Sequence, residues 1–399
     1  MFESLQPLPP DPILGLNAAF KADDNPNKVD LGIGVYKDEN GNTPVMRAVK
    51  EAEKLILNSQ LTKAYVGPKG ALAYNEAVAE LILGATLKAG LGGRRITMQT
   101  PGGCGGLRIA AEFIARASSG STIWVSDPTW ANHKPLIGSS GLKFKSYPYY
   151  NYETHSVDFD NMIAALANVP KGDVVLLHGC CHNPSGADLA PNQWRAIRDL
   201  AQEQNFTIFI DLAYQGMGDG LEEDVIGVRL LAESLPELII VSSCSKNFGL
   251  YRERTGAITL ICQNEGAASA ASTLIAAAAR SNYSMPPDHG AAVVQLIRED
   301  SSLNSMWEEE LKEIRNRING LRITFANRLT KSGAQRDFSF IQKEKGMFSF
   351  LGITKSQIDK LISEYAIYLV DSSRINVASI NDDNIDYVTK SISEVLSRV

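Results

Sequence analysis

Short apolar runs alternate with helix-length segments along most of the chain, and this alternation limits the possible folds more than any other feature. The runs are rich in β-branched and aromatic residues. Strands that are apolar along their whole length are typical of a mostly parallel sheet that helices cover on both faces, so we predict an α/β protein. The seven predicted strands are ITMQT (96–100), TIWVS (122–126), LKFKSY (142–147), DVVLLH (173–178), FTIFID (206–211), LIIVSS (238–243) and TGAITLIC (255–262).

A long helical pattern separates this region from the C-terminal part of the chain. It runs from about residue 302 to 331, far beyond the roughly 12 residues of an average helix, and we predict that it joins two domains. The patterns at 338–353, 355–370 and 384–399 predict strand, helix, strand and helix, a smaller α+β unit. The predicted boundaries are 1–36 for an N-terminal arm with part of the small domain, 37–313 for the large domain and 314–399 for the small C-terminal domain.

Charge and cysteine content narrow the class of protein. The 399 residues include 39 basic and 45 acidic side chains, and the resulting net charge of -6 opposes nonspecific attraction to nucleic acid or anionic membrane. The five cysteines are odd in number and include the adjacent pair Cys180 and Cys181, which suits free thiols in a reducing compartment. The N-terminus lacks the pattern of a signal peptide, and no apolar run approaches the ~18 residues of a membrane span. We therefore expect a cytoplasmic protein without nucleic-acid or membrane partners.

Polar residues follow the predicted strands where a parallel sheet binds its ligands, beyond the carboxyl ends of the strands. After ITMQT comes PGGCGG and then a helical pattern, an arrangement that lets backbone N–H groups approach an anion. Hydroxyl groups beside an arginine guanidinium can form a binding site for a phosphate group, and a lysine next to them can act as a nucleophile. A glycine turn and a strand-end lysine are, taken singly, also common surface features. After LIIVSS the chain offers Ser243, Ser245, Lys246 and Arg254.

Three further strand-end residues are candidates for the same site. Asp211 ends the strand FTIFID, Tyr214 follows three residues later, and Asn183 lies in a predicted turn after DVVLLH. Their alternative roles are helix caps, turns and core packing. Trp130 has an aromatic face for a flat ligand, although core tryptophans are more common. The spacing of His178, Cys180, Cys181 and His182 matches no familiar zinc module, so we predict no metal.

Seven motifs together resemble the aspartate and aromatic amino acid aminotransferases of fold type I, and the resemblance covers essentially the whole chain. It implies a pyridoxal phosphate-dependent enzyme, built as a large domain with a mostly parallel seven-stranded sheet and a smaller α+β domain joined by a long helix. It also implies a homodimer with shared active sites. The motifs, in register, are DPILGL, LGIGVYKDE, TPGGCGG, SDPTWANH, HNPSGADL, FIDLAYQG and SKNFGLYRERTGA.

The resemblance also implies a role for each cofactor-binding residue. Lys246 would hold the cofactor covalently and move the substrate proton, and Asp211 would pair with the pyridine nitrogen. Tyr214 and Asn183 would bond the ring oxygen, and Trp130 would stack on the ring. His133 and His178 would support the ring and Asp211 from behind. The implied phosphate ligands are Gly103, Cys104, Ser243, Ser245, Arg254 and, from the second subunit, Tyr65.

For the substrate, the resemblance implies two arginines with different duties. Arg374 would bind the α-carboxylate, together with Asn183, Gly34 and Trp130, and Arg280 of the neighbouring subunit would bind a distal carboxylate. The implied reaction transfers an amino group between L-aspartate, and also aromatic amino acids, and 2-oxoglutarate. An aromatic aminotransferase is the alternative; a β-lyase, a decarboxylase, a nicotinamide dehydrogenase and a noncatalytic binding protein are more remote.

Some residues depart from the family pattern. Cys104 stands where a threonine or serine is usual, so a weak thiol donor replaces a hydroxyl at the phosphate. Ser373 replaces a common glycine before Arg374, and Asp371 lies nearby, although on a strand Asp371 and Arg374 would face opposite ways. The substrate pocket has a mixed character: Met285 and Ala64 replace polar residues of strict aspartate enzymes, whereas Lys37 and Thr43 resemble that branch.

Overall fold

The computed structural model describes residues 2–7, 12–334 and 336–398. Part of the predicted N-terminal arm, residues 1 and 8–11, and the last residue of the predicted C-terminal segment lie outside the described residues. The chain divides into a small unit of residues 1–43, 184–186 and 318–399 and a large unit of residues 44–183 and 187–317. Within the described residues, no helix is both long and apolar enough to cross a membrane.

The seven predicted strands form one sheet in the large unit, which confirms the α/β prediction. Six strands run in one direction, and Thr255–Ile261 is antiparallel to both of its neighbours. Across the sheet the order is Arg95–Pro101, Thr255–Ile261, Leu238–Ser243, Thr207–Leu212, Val174–His178, Thr122–Asp127 and Lys143–Pro148.

Helices and strands of the large unit share an apolar core. In the helix Gly102–Ala117, the buried residues Leu107, Ala110, Ala111 and Ile114 recur at helical spacing and form one apolar stripe. This stripe belongs to the same buried cluster as strand residues such as Val241 and Ile258. The other helices of the large unit are Arg47–Ser59, Leu72–Leu91, His133–Gly138, Phe159–Leu166, Pro191–Gln204, Ile226–Ser234, Glu265–Asn282 and His289–Glu299.

The large unit also contains a two-stranded hairpin, Tyr150–Asn151 with Ser156–Val157, and two short 3-10 helices, Gly92–Arg94 and Glu223–Val225. The predicted long helix is Ser301–Lys331, and the division between the two units falls within it, after residue 317.

The small unit has two short pairs of strands packed with helices. Val29–Asp30 pairs in parallel with Ile367–Tyr368, and Phe348–Phe350 pairs antiparallel with Arg374–Asn376. The predicted alternation of strand and helix is present, with Arg374–Asn376 as an additional strand. The helices are Pro12–Ala22, Lys355–Tyr365, Ile385–Ser397 and the short 3-10 turns Ser339–Gln342 and Val377–Ser379.

A buried ion pair organises the interior of the small unit. The side chains of Arg322 and Glu344 are 1% and 2% exposed, with 3.4 Å between Nη1 and Oε2. Arg322 also donates to the carbonyl oxygens of Gly346 at 2.7 Å and Ile341 at 3.1 Å. A buried charge is tolerated when it is paired and fully hydrogen-bonded. These bonds fix the segment that leads into the strand Phe348–Phe350.

Candidate active site

Two serines and an arginine meet at the carboxyl end of the strand Leu238–Ser243. The Ser243 hydroxyl donates to Ser245 Oγ at 3.0 Å, and Arg254 Nη1 donates to the same oxygen at 3.4 Å. The backbone N–H of Ser245 donates to Ser243 Oγ at 3.2 Å. Two hydroxyls and a guanidinium in one place form a donor set that suits a phosphate dianion.

The helix Gly102–Ala117 begins against this cluster. Gly102 has a φ of +67°, and a Cβ added there would lie 2.6 Å from Nη2 of Arg254. Only glycine combines the left-handed backbone with such close packing. A Cβ on Gly103 would lie 3.3 Å from Cβ of Ser243. The first N–H groups of the helix, which have no intrahelical partner, therefore lie beside the hydroxyls and the guanidinium.

Cys104 lies in the first turn of the same helix and is partly buried. Burial raises the pKa of its thiol and outweighs the opposite effect of the Arg254 charge. The thiol is therefore neutral near pH 7 and can offer an anion only a weak S–H donor.

A buried aspartate near the carboxyl end of the neighbouring strand is hydrogen-bonded to a histidine. Asp211 Oδ2 lies 2.9 Å from His133 Nε2, and His133 Nδ1 lies 2.8 Å from Thr129 Oγ1. Burial is the largest single influence on the pKa of Asp211 and would raise it. The hydrogen bond to His133 and the positive charges of His133 and Lys246 together outweigh burial, so the pKa of Asp211 lies below its usual value. Asp211 is consequently ionised at neutral pH.

His178 stands beside this pair as an uncharged ring. It pairs in register with Asp211 across the two strands, and its ring centre lies 5.2 Å from that of His133. Burial, followed by the charge of His133, lowers the pKa of His178 to about 3. Neither ring nitrogen has a hydrogen-bond partner within the described residues. His178 therefore packs against the Asp211 pair without adding a charge.

Lys246 lies at the same edge of the sheet. Its Nζ stands 4.9 Å from the ring centre of the buried Tyr214, and the lysine is partly exposed. Its charge also contributes to the lowered pKa of Asp211. Trp130 presents its ring edge-on to His133, with 5.3 Å between the ring centres, and Asn183 is buried. The large unit thus brings an amine, an ionised carboxylate and a phosphate-type donor set to one edge.

In the small unit, Arg374 is a buried and oriented cation. It is 4% exposed, its Nη2 donates to the Gly32 carbonyl at 2.7 Å, and its guanidinium lies 4.3 Å from the Phe348 ring centre. Gly34 packs on the same ring, since a Cβ there would lie 3.1 Å from Cζ of Phe348. Backbone and aromatic contacts therefore hold the guanidinium in one orientation.

Ser373 and Asp371, which depart from the family pattern next to Arg374, are both accommodated by the local structure. Ser373 has a φ of +64°, in the left-handed region that favours glycine, which accounts for a glycine being usual there. Its hydroxyl accepts the N–H of Gly352 at 3.0 Å. Asp371 is exposed and pairs with Lys355 at 3.0 Å, so its carboxylate is directed to a surface lysine. Lys37 forms an ion pair of 3.8 Å with Asp30.

The residues that the resemblance associates with a second subunit are exposed. Arg280 lies near the end of the helix Glu265–Asn282 and donates to Ser284 Oγ. Tyr65 is 91% exposed. Both side chains are thus available to a partner.

Two groups of potential metal ligands occur among the described residues, and we assign a metal to neither. One is His133, His178 and Asp211, already described; the other is Cys180, Cys181 and Asp224. In the second group the Asp224 oxygens accept N–H groups from Gly216, Gly218, Asp219 and Gly220. Its lone pairs are therefore used within the fold.

Two residues that support the candidate site at the carboxyl ends of the strands were not predicted from the sequence. Thr129 orients His133, and its only signal was the spacing of four residues within SDPTWANH. Tyr74 approaches the cluster from another helix, and no motif indicated it.

Comparisons with known proteins indicate the family of the chain. The family model described as aminotransferase class I and II matches residues 26–392. The chain is 47% identical to the aspartate aminotransferase of Escherichia coli strain K12, covering 99% of this chain and all of that protein. It is 44% identical to the aromatic-amino-acid aminotransferase of Pseudomonas aeruginosa, over 99% of this chain and 98% of the relative.

Solved structures are similar over the whole chain as well. The aromatic-amino-acid aminotransferase from Burkholderia pseudomallei, covalently bound to pyridoxal phosphate, superimposes with a TM-score of 0.96 at 41% identity and 99% coverage of both chains. The aspartate aminotransferase from Saccharomyces cerevisiae cytoplasm superimposes with a TM-score of 0.97 at 35% identity, covering 100% of this chain and 99% of that one. The chain belongs to the class I and II aminotransferase family.

Proposed function

We propose that the protein is a pyridoxal phosphate-dependent aminotransferase that uses L-aspartate, and also aromatic amino acids, as amino donors and 2-oxoglutarate as acceptor. One observation carries the proposal: an amine, Lys246, lies at the same sheet edge as Asp211, a carboxylate that His133 keeps ionised. Aminotransfer needs a base that moves the substrate proton, and it needs a fixed negative charge that stabilises the protonated ring of the cofactor.

The residues at this edge fit the cofactor. The hydroxyls of Ser243 and Ser245, the Arg254 guanidinium and the N-terminus of the helix Gly102–Ala117 form a cradle for its phosphate. When bound, pyridoxal phosphate supplies a conjugated ring that accepts electrons from the substrate carbon. The fit extends to Cys104, which adds a weak donor to the cradle and no charge.

Each remaining residue has a task that its position supports. Lys246 would hold the cofactor covalently, and its amine would move the Cα proton of the substrate. Asp211, which is ionised, would pair with the ring nitrogen of the cofactor and keep that nitrogen protonated. Tyr214 and Asn183 would donate hydrogen bonds to the ring oxygen of the cofactor, and Trp130 would offer its aromatic face to the ring.

We extend the proposal to the domains and to the location of the protein. Residues 37–313 would be the cofactor-binding domain, residues 1–36 would form an N-terminal arm with part of the small domain, and residues 314–399 would form the small C-terminal domain that carries Arg374. The five cysteines are free, which suits a reducing compartment such as the cytoplasm.

Specificity constants for aspartate, phenylalanine and tyrosine with 2-oxoglutarate test the proposal directly. We expect turnover with all three donors and a near-visible absorption band when cofactor is bound. An enzyme that used only aromatic donors would favour the alternative activity, for which Met285 and Ala64 are the motivating residues. Consumption of the donor without formation of glutamate from 2-oxoglutarate would indicate a lyase or decarboxylase and contradict aminotransfer.

Arg280→Leu is expected to separate the two classes of donor. Removal of one partner of a desolvated ion pair costs about 3 to 5 kcal/mol, which corresponds to about 10² to 10³-fold or more in kcat/KM for aspartate. Phenylalanine has no distal carboxylate, so its kcat/KM should fall far less or rise. Arg374→Leu is the matched control, because every donor carries an α-carboxylate and both should suffer. Equal losses toward both donors in Arg280→Leu would remove Arg280 from this role.

An exposed apolar segment supports the proposal of a homodimer. Leu57 is 83% exposed, Leu61 97%, Tyr65 91% and Leu72 75%, all within sixteen consecutive residues of the large unit. Several large apolar side chains that are this exposed and this close together in the chain are typical of an interaction surface. We propose that a second copy of the chain covers this segment and that Tyr65 and Arg280 then serve the partner's site.

Mixed dimers provide a sharp test of the shared site. We expect Lys246→Ala and Arg280→Leu subunits, each poor toward aspartate alone, to regain about one quarter of wild-type activity when dissociated and re-associated together. Half of the dimers would be mixed, and each mixed dimer would contain one intact site. No recovery, with dimers verified by sedimentation, would mean that Arg280 serves its own subunit.

A further inference from the structure

The side chain of Tyr74 is buried in the large unit and ends in a hydroxyl that packing alone does not require. Tyr74 lies near the start of the helix Leu72–Leu91 and is 0% exposed. Its hydroxyl donates to the Gly256 carbonyl at 3.0 Å and lies 3.6 Å from Cys244 Sγ. A phenylalanine would fill the same space without a buried polar group that needs a partner. The hydroxyl therefore has a task other than filling space.

Both partners of the hydroxyl adjoin the phosphate cradle. Cys244 stands between Ser243 and Ser245 in the chain. Gly256 pairs with Ser243 on one side and with Thr100 on the other, so it links the strand that ends in the hydroxyls to the strand that leads into the glycine loop.

The packing around Gly256 continues this link to the arginine. A Cβ on Gly256 would lie 2.6 Å from the carbonyl carbon of Gly102, so the two backbones are in direct contact. Gly102 in turn packs against Arg254, whose guanidinium donates to Ser245. A continuous path of contacts therefore runs from the Tyr74 hydroxyl to the hydroxyl, guanidinium and helix N-terminus donors.

We propose that Tyr74 is a positioning residue for the phosphate cradle: its hydroxyl holds Gly256 and Cys244 in place and thereby sets the spacing of the donors contributed by Ser243, Ser245, Arg254 and the Gly102 helix. This inference rests on the proposed function, because it assumes that the cradle binds the phosphate of the cofactor. It identifies a residue that touches neither cofactor nor substrate.

The contact of the Tyr74 hydroxyl with Gly256 and Cys244 is stable in its protonation state. Burial, and then the neighbouring Cys244, raise the pKa of the Tyr74 hydroxyl well above its usual value, so it stays a donor. Burial raises the pKa of Cys244 to about 12, so the thiol stays neutral. No charge changes in this contact near neutral pH, and buried hydrogen bonds of this type hold their geometry.

Tyr74→Phe is the test, with Tyr147→Phe as the matched control. Tyr147 is also buried, and its hydroxyl also donates to a strand carbonyl, that of Leu176, at 2.8 Å, in another part of the sheet. The cofactor-free proteins are titrated with pyridoxal phosphate and with pyridoxal, which lacks the phosphate. We expect Tyr74→Phe to raise the Kd for pyridoxal phosphate by about threefold to tenfold, the effect of one lost hydrogen bond, and to change the Kd for pyridoxal less than about twofold.

Tyr147→Phe should change neither Kd, whatever it does to the melting temperature. Cys244→Ala, which keeps the hydroxyl on Gly256 but removes its other partner, should show the same preference at lower amplitude. The inference would be overturned if Tyr74→Phe left the ratio of the two Kd values unchanged. It would also be overturned if Tyr147→Phe shifted that ratio as much as Tyr74→Phe does. A wild-type protein that binds no pyridoxal phosphate would instead overturn the proposed function, and the inference with it.

Discussion

Replacing Lys246 by alanine is expected to lower kcat for aminotransfer by more than about 10⁴-fold, because the change removes the residue that we propose as both the covalent link to the cofactor and the base that moves the substrate proton. The cradle of Ser243, Ser245 and Arg254 is untouched by the change. Cofactor should therefore still bind, without the absorption change that covalent attachment produces. Rapid-mixing measurements of keto acid formation, together with absorption spectra of the bound cofactor, check both expectations.

A second lysine supplies the control for this variant. The Lys145 amine lies 4.9 Å from the Trp124 ring centre, the same kind of aromatic contact that Lys246 makes with Tyr214. Lys145→Ala should retain wild-type turnover. Methylamine added to the Lys246→Ala enzyme should restore part of the activity, since a small amine can occupy the space of the missing one. Normal turnover in Lys246→Ala would refute the assignment of the base and of the covalent link.

Asp211→Ala is expected to have the next largest effect, a fall of about 10² to 10³-fold or more in the rate of the amino-transfer half-reaction at saturating cofactor. The reason is electrostatic: the change removes the buried negative charge that we propose stabilises the cofactor ring, whereas the proposed phosphate cradle is left intact. Single-turnover measurements separate the chemical step from binding. An unchanged proton-transfer rate with the cofactor fully bound would show that Asp211 has another role.

Asp173→Asn is the matched control for a buried aspartate. Asp173 is buried and accepts the Thr122 N–H at 2.9 Å and the Trp124 indole N–H at 2.8 Å, at the amino ends of the strands. Its replacement should lower the melting temperature and leave the half-reaction rate close to that of the wild type. A loss of rate as large as that of Asp211→Ala would mean that general damage to the sheet, rather than a missing charge, accounts for both variants.

The lowered pKa of Asp211 also predicts a pH dependence. A carboxylate whose folded pKa is depressed remains ionised down to pH values below 3.8, its usual value, and any stability it adds is lost only as pH falls through the folded pKa. The variant His133→Phe loses the hydrogen bond and the charge that lower the pKa of Asp211. Burial, which raises this pKa, is then less opposed, so the pKa of Asp211 should rise. The acid limb of the kcat profile should then move to higher pH.

Much of the fold and many of the candidate residues could be predicted from sequence because they depend on local patterns. Strand-length runs rich in β-branched and aromatic residues marked all seven strands of the sheet, and the ends of those runs marked Asp211 and Lys246 as candidate neighbours of a ligand. The physical reason is that a strand buried on both faces must be apolar throughout, so polar residues concentrate at its carboxyl end, where parallel sheets bind their ligands.

Other features depended on tertiary structure, because they arise from contacts between residues far apart in the chain. The order of the strands and the antiparallel direction of Thr255–Ile261 place Gly256 between Thr100 and Ser243, a juxtaposition that no local pattern encodes. Thr129 behind His133 and Tyr74 behind the cradle became recognisable only through hydrogen bonds. Sequence determined which residues reach the edge of the sheet, whereas tertiary packing decided their protonation, orientation and support, since burial and hydrogen-bond partners exist only in the folded chain.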